Sequence, residues 1–318
     1  MIETKTIDQL NVSIIILNWN GWRDTVECLE SVFRLNHRRF DVVVCDNASS
    51  DGSLEKIRDW AEGKALAGFG AAPQGGRGLA LIQTGSNLGF AGGNNVGIRY
   101  ALARGDCDYV WLLNNDTVVD PDALSAMLRM AHSNPMLGVC GSLLRSYAPP
   151  HGILTAGGRR YSRWSGRTHP LTDIATPRIS TSPRAPDYIE GASMLISRKC
   201  IEQIGLLEER YFLYSEEIDY VVRAQPEFHF GYAPDSVVYH KEGASIGTAV
   251  LRMHRSILQE FYLARNRLLF TWWHCPWCWP SVFVTVVVSF LQRLLIGKPK
   301  NAAAILRGAL ASFSGRLY

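Results

Sequence analysis

Three carboxylates, Glu216, Glu217 and Asp219, crowd into four residues directly after Ser215. Ser215 is an N-cap residue type, so the three fall on the first turn of an expected helix. Crowded like charges raise a carboxyl pKa and make a better general base, a role worth roughly 10²–10⁴ in rate. Acidic residues at a helix start also simply complement its dipole. Asp219 has a structural partner at (i, i+4) in Arg223, and a solvated helix face would account for Glu217. Asp116 ends the apolar run 109–113, where a carboxylate can reach a divalent cation. One carboxylate, one imidazole and two phosphate oxygens would complete such a site; Mg²⁺ commonly shares itself with substrate phosphates, and Mn²⁺ accepts imidazole readily. His240 is the available imidazole, although taken alone it reads more readily as a satisfied surface histidine.

These side chains need a scaffold that brings them together. Short β-branched runs predict buried strands at 12–17, 40–45, 79–83 and 109–113, with helical spacing at 22–35, 54–61 and 96–103. Pro121-Asp122 opens a further helix. Alternating strand and helix predicts an α/β fold, a parallel sheet with crossover helices. Residues 63–78 read as a surface insertion and 145–187 as loops and short strands; order returns with a turn at Gly191-Ala192, a strand over 193–197, a helix near 199–204 and a strand over 236–239. Three strands end in clusters of Asn, Asp, Gly and Ser. Open parallel sheets bind ligands at that edge, although each cluster alone would make a good turn. The glycine segment 87–95 is neither a P-loop nor G-x-G-x-x-G. Its small residues would let a nucleotide backbone approach, with Asn95 as a polar fork at a helix start.

The chain has 318 residues, 47% hydrophobic and 19% charged, the balance of a folded protein. Its net charge of 33 − 29 = +4 is too small and dispersed for a nucleic-acid binder. The first ten residues lack a signal-peptide pattern, and seven cysteines without framework spacing point to reduced thiols; Cys275 and Cys278 lie outside any βαβ context. Residues 276–291 carry no charge. As a helix they reach roughly 24 Å, short of a bilayer core of about 30 Å. Ser281, Thr285 and Ser289 form a mildly polar stripe; Trp272, Trp273, Trp277 and Trp279 precede it, and Lys298, Lys300, Arg307 and Arg316 follow. That arrangement predicts in-plane contact with a membrane surface through about 272–316. The alternative is a helix packed on the catalytic domain or in a homodimer.

The succession VSIIILNWNG, VVVCDNASSDGS, SNLGFAGGNN, WLLNNDTVVDP, EGASMLISR, YFLYSEEIDYVVRA and PDSVVYHKEGAS resembles the family 2 glycosyltransferases of GT-A fold, and within them the bacterial rhamnosyltransferase and galactofuranosyltransferase branch. The match spans about 10–250 and extends weakly into YLARNRLLF at 262–270. The resemblance implies a mostly parallel, Rossmann-like sheet flanked by helices: a catalytic domain over 10–250, its nucleotide half about 10–120 and acceptor half about 121–250, then a helical apolar extension over 251–318. It implies a nucleotide-sugar site from Asn18, Trp19, Asp46, Asn47, Asn87, Gly89, Asn95, Asn114 and Asn115, with Trp19 stacking on the base and Asp46 and Asn47 holding base and ribose. Asn114-Asn115-Asp116 stands for the family's D-x-D, so Asp116 binds the metal, and His240 takes the late ligand position. Gly191 and Ala192 fall on the acceptor side, and Glu217, between Glu216 and Asp219, aligns with the catalytic base. The expected activity is inverting, cation-dependent transfer from a dTDP- or UDP-linked donor, rhamnose first, to a glycan or lipid-linked acceptor in cell-surface polysaccharide synthesis at the cytoplasmic membrane face. Two alternatives stand beside it: sugar-nucleotide nucleotidyl transfer, and a non-catalytic carbohydrate-binding protein on the same fold.

Overall fold

In the computed structural model, residues 5–64, 78–174, 179–181, 185–241 and 255–314 are described. Most of the expected insertion at 63–78, the end of the last shared motif at 242–245, and Arg316 lie outside them. In chain order the elements are β1 (Val12–Asn18), α1 (Trp22–Val32), β2 (Phe40–Asp46), α2 (Ser53–Gly63), β3 (Leu79–Gln83), α3 (Gly89–Arg104), β4 (Tyr109–Asn114), β5 (Thr117–Val119) and α4 (Ala123–His132). They continue with β6 (Leu137–Ser146), β7 (Ile153–Ala156), β8 (Gly158–Ser162), β9 (Arg167–Pro170), β10 (Tyr188–Ile189), β11 (Ser193–Ser197), α5 (Arg198–Ile204), α6 (Glu216–Ala224) and β12 (His229–His240). The helices α7 (Ile257–His274), α8 (Trp279–Leu295) and α9 (Pro299–Ser314) end the chain.

The main sheet runs β3-β2-β1-β4-β11-β6-β12-β5, with β7 paired to β6; β10, β8 and β9 form a small second sheet. From β3 to β4 every pairing is parallel. β11 then runs against both β4 and β6, so one sheet passes through both halves of the chain. The central strands are apolar on both faces because helices cover both. Ile14 and Ile16 join the core under one face with Val42, Val44 and Trp111, while Ile15 joins Val43 and Leu112 under the other.

Helix α3 starts at Gly89, seven residues before the expected start at Val96, and absorbs the glycine segment. Low helix propensity is overridden by packing. A Cβ at Gly97 would stand 2.6 Å from Ile15 Cγ2, and one at Gly93 would strike Leu17. Protein, not nucleotide, makes the close approach along that face. Strand β12 is also longer than its expected four residues. It slips register between Ala233 and Val237, where Pro234 interrupts the pattern that periodicity would follow.

At the C-terminus, residues Pro276–Leu295 form the one described helix that is long and apolar enough to cross a membrane, by length and composition alone. One side of it packs on the protein: Val282 and Val286 are buried with Ala264, Leu268 and Ile305. The polar stripe faces the turn between β8 and β9, because Ser281 Oγ donates to Trp164 O at 2.8 Å and Thr285 Oγ1 to Ser165 O at 2.9 Å.

Candidate active site

Antiparallel pairing of β12 with β5 sets His240 opposite Thr117, one residue beyond Asp116. His240 Nε2 and Asp116 Oδ1 are 3.1 Å apart, although 124 residues separate them in sequence. The next residue locks the arrangement: Lys241 N donates to Asp116 O at 3.0 Å, and its Nζ bridges Asp24 and Glu27 on α1 at 2.6 and 2.5 Å. Among the described residues no group of three or more His, Cys, Asp or Glu side chains converges as a metal cage. A carboxylate beside an imidazole is nonetheless a fitting partial donor set for Mn²⁺ or Mg²⁺, with substrate oxygens and water supplying the rest.

The other strand ends are tied into a polar network. Asn18 Nδ2 donates to Asp46 Oδ1 at 2.7 Å, and Asp46 also accepts Ser49 Oγ at 2.6 Å. Thr25 Oγ1 donates to Asn18 Oδ1 and accepts from Asn115 Nδ2. Asn47 Nδ2 donates to Asn87 Oδ1 and Gly89 O, while its Oδ1 accepts Leu88 N. Asn18 and Asp46 are fully buried at the carboxyl ends of β1 and β2. Trp19 is half-buried in the turn above them, and Asn114 N donates to Ala192 O, joining the Asp116 turn to the Gly191-Ala192 turn.

Two residues expected at the nucleotide face elsewhere. Asn95 lies in mid-helix, fully buried, with its amide spent on Leu207 and Glu209. Gly89 has φ +72° and abuts Phe212, whose carbonyl accepts Phe90 N at 2.6 Å, so its glycine serves packing.

On the other side of the cleft, Glu217 rests on Gly191. A Cβ there would come within 2.5 Å of Glu217 Oε1, so only glycine leaves the carboxylate its place. Burial, then the neighbouring Glu190 charge, pushes the Glu217 pKa up to about 7, partly offset by backbone N–H groups and Arg159. Glu217, Glu190, Arg159 and His240 line one cleft of about 640 Å³. Glu216 does not line it. It is buried at 2% exposure, its Oε2 has no hydrogen-bond partner among the described residues, and burial followed by the Glu217 charge drives its pKa well above 4.5. Asp219 is also turned away, which corrects its expected place in the catalytic group. His274 Nε2 lies 2.7 Å from its Oδ1 and Arg223 Nε 2.7 Å from its Oδ2; against the effect of burial, they hold the carboxyl below its usual range.

The segment leading to Glu217 is strained: Phe212, Tyr214 and Ser215 have φ of 65°, 71° and 81°. Each such residue costs about 1–3 kcal/mol unless its surroundings hold it. Ser215 occupies the N-cap position, but its left-handed backbone makes no side-chain cap, contrary to expectation. The support comes from α7. Asn266 Nδ2 reaches the carbonyls of Tyr211, Leu213 and Tyr214 at 2.9, 2.8 and 2.9 Å. Arg265 Nη1 donates to Arg210 O at 2.8 Å, and Tyr262 stacks on Phe212 with centroids 5.0 Å apart. Residue types alone mark none of these roles; the signal in the sequence is the weak likeness at 262–270.

The profile of the family described as "Glycosyl transferase family 2" matches residues 13–182, more than half of the chain. The chain belongs to glycosyltransferase family 2. It is 26% identical over 273 residues to an N-acetylglucosaminyl-diphospho-decaprenol L-rhamnosyltransferase of Mycobacterium tuberculosis, covering 79% of this chain and 82% of the relative. It is 24% identical to rhamnosyltransferase WbbL of Escherichia coli, covering 81% and 94%. It is also 26% identical to a Haloferax volcanii hexosyltransferase of low-salt glycan biosynthesis, of which it spans 64% while matching 71% of its own length. Among solved structures, a Pyrobaculum calidifontis mannosyltransferase in complex with GDP-Man and Mn²⁺ superposes with TM-score 0.57 at 14% identity, over 99% of this chain and 91% of that one. GalNAc-T7 with UDP, GalNAc and Mn²⁺ gives 0.58 at 14%, over 82% and 51%. These structural likenesses establish the GT-A fold.

In this glycosyltransferase, Asn266 is a positioning residue. Its replacement by Ala leaves buried carbonyls unpaired, and we expect a stability loss of about 2–3 kcal/mol in urea unfolding. Turnover falls while nucleotide affinity is retained; unchanged kcat would show that the 211–214 segment does not depend on Asn266.

Proposed function

We propose that the protein transfers a sugar, with inversion, from a nucleotide-diphosphate sugar to a hydroxyl of a lipid-linked or glycan acceptor, with Glu217 as general base. The observation that carries this reading is that Glu217 and His240 face one cleft and Asp116 stands at His240. The names of two relatives favour rhamnose, from a dTDP-linked donor, as the sugar moved. Family membership favours sugar transfer over nucleotidyl transfer.

Glu217 accepts the acceptor hydroxyl proton. The freed oxygen attacks the anomeric carbon as the bond to the diphosphate breaks on the opposite face, so one displacement inverts the centre. Asp116 and His240 would hold the divalent cation, which neutralises charge on the departing diphosphate as a Lewis acid. Gly191 keeps the acceptor side of Glu217 open. Arg159 pairs with Glu190 at 3.2 Å and so limits how far Glu190 repels the base. Binding both substrates in one cleft supplies the proximity contribution.

The helical extension suits a lipid-linked acceptor. Val284, Leu295, Leu310 and Phe313 on α8 and α9 are 59%, 86%, 62% and 70% exposed, with Lys298, Lys300 and Arg307 beside them. An apolar face bordered by cations fits an anionic membrane surface, with α8 lying in plane because Val282, Val286 and Arg293 anchor its inner side.

Four experiments check this reading. Glu217→Gln binds donor but loses about 10²–10⁴ in transfer, and the wild-type kcat/KM rises with pH with a midpoint near 7, the limb being absent from the residual activity of the variant. Glu216→Gln keeps its turnover. Because the folded pKa of Glu216 lies above 4.5, its stability contribution is lost as pH rises, so the Tm advantage of the variant grows above that pH. EDTA abolishes transfer and added Mn²⁺ or Mg²⁺ restores it; Asp116→Ala is not rescued. The intact protein co-sediments with anionic liposomes at low salt, and Leu295→Glu with Leu310→Glu prevents this.

A further inference from the structure

Beyond Glu217 and His240, the cleft has a wall whose charge the transfer mechanism does not use. Arg167 at the start of β9, Arg255 just before α7 and Arg267 on α7 all line it. Arg293 lines it as well, but its guanidinium is bound to Glu260 at 2.5 Å. Glu260 also faces Arg255 at 4.0 Å, so one carboxylate serves two cations. Arg267 makes no ion pair or side-chain hydrogen bond among the described residues. Burial first, then the charges of Arg167 and Arg255, press its pKa down to about 10, so it stays cationic at neutral pH. Gly166, at φ +62°, makes room for it: a Cβ there would collide with Arg267 Cγ and Cδ. A desolvated guanidinium set against two others is costly unless an anion completes the site. The planar fork of arginine suits phosphate oxygens.

The position narrows the source of that anion. The charged groups that act most strongly on Arg267 are Arg167, Arg255 and Glu260, from β9 and the α7 region. The same wall is completed by Ser289, Gln292 and Arg293 of α8, the helix whose other side exposes Leu291 and Leu295. A charged headgroup in the cleft would therefore sit one helix thickness from the apolar surface. We propose that Arg167, Arg255 and Arg267 form an acceptor-side subsite for a phosphate or diphosphate that joins the acceptor sugar to its lipid. The subsite rests on reading the cleft at Glu217 as the acceptor side.

Calorimetry on the whole protein in EDTA, with inorganic pyrophosphate and farnesyl diphosphate as probes, tests the subsite. Both probes bind, farnesyl diphosphate more tightly, and neither is displaced by UDP or dTDP. Arg267→Gln and, separately, Arg167→Gln weaken both probes by about tenfold or more, and Arg267→Lys recovers part of the loss. Each variant keeps the wild-type Tm and Mn²⁺-dependent nucleotide binding. Displacement by nucleotide, undiminished binding in both Gln variants, or no binding of either probe overturns the subsite; equal affinity for the two probes overturns the lipid assignment. Failure of wild-type protein to bind UDP or dTDP with Mn²⁺ strikes instead at the donor site, which separates the two readings.

Discussion

Asn266 at the centre of α7 holds a backbone segment that local energetics would not keep. Its two amide hydrogens are shared among three carbonyls, those of Tyr211, Leu213 and Tyr214. Three non-glycine residues of that segment have positive φ. Without this grip the chain would relax, and α6, which begins two residues later, would lose its starting point. Glu217 is on the first turn of α6, so the geometry of a carboxylate in the catalytic half depends on a helix of the extension. The C-terminal helix α7 is thus built into the body of the protein that carries Glu217.

The same economy appears around the acidic residues. Glu216, Glu217 and Asp219 share one helical turn, yet helix geometry sends them to three environments. Asp219 is paired with Arg223 and bonded to His274, which ties α6 to α7. Glu216 is desolvated without a hydrogen-bond partner for one oxygen among the described residues. Glu217 alone reaches the cleft, over a glycine that leaves it room. Burial beside Glu190 pushes its pKa towards neutrality, the range in which a base combines useful basicity with a deprotonated fraction. Of three similar side chains, environment and direction leave one, Glu217, on the cleft, where the proposed reading makes it the base.

Charge is partitioned along the cleft. At one end an anionic donor pair, Asp116 with His240, suits a cation; along the α7–α8 wall guanidinium groups outnumber carboxylates. On the proposed reading the donor diphosphate and the acceptor phosphate would meet different local charge, which would keep them apart with no moving part. The exposed apolar residues of α8 and α9 lie behind the cationic wall, which orders the surface from polar cleft to apolar exterior.

Much of this protein was legible in one dimension. Runs such as 12–17 and 40–45 read as buried strands because three β-branched residues follow one another in each, Ile14–Ile16 and Val42–Val44, and β3 and β11 fall on their expected bounds. The turn residues after these strands marked the sheet edge where Asn18, Asp46 and Asn115 share one polar network, and the likeness of successive motifs to glycosyltransferase family 2 pointed to Asp116, His240 and Glu217. Periodicity failed where tertiary packing overrode it, at the glycine face of α3 against Ile15 and Leu17 and at the register slip of β12 around Pro234. What the sequence by itself determined was the set of elements and the inventory of reactive groups, since both follow from local residue type and spacing. Only the tertiary structure decided which groups meet: that Asn95 and Asp219 are spent on hydrogen-bond partners inside the fold, that Asn266 holds the segment before α6, and that Arg267 stands beside Arg167 and Arg255. The physical reason is that burial, partner and direction of a polar side chain are set by residues far away in the chain.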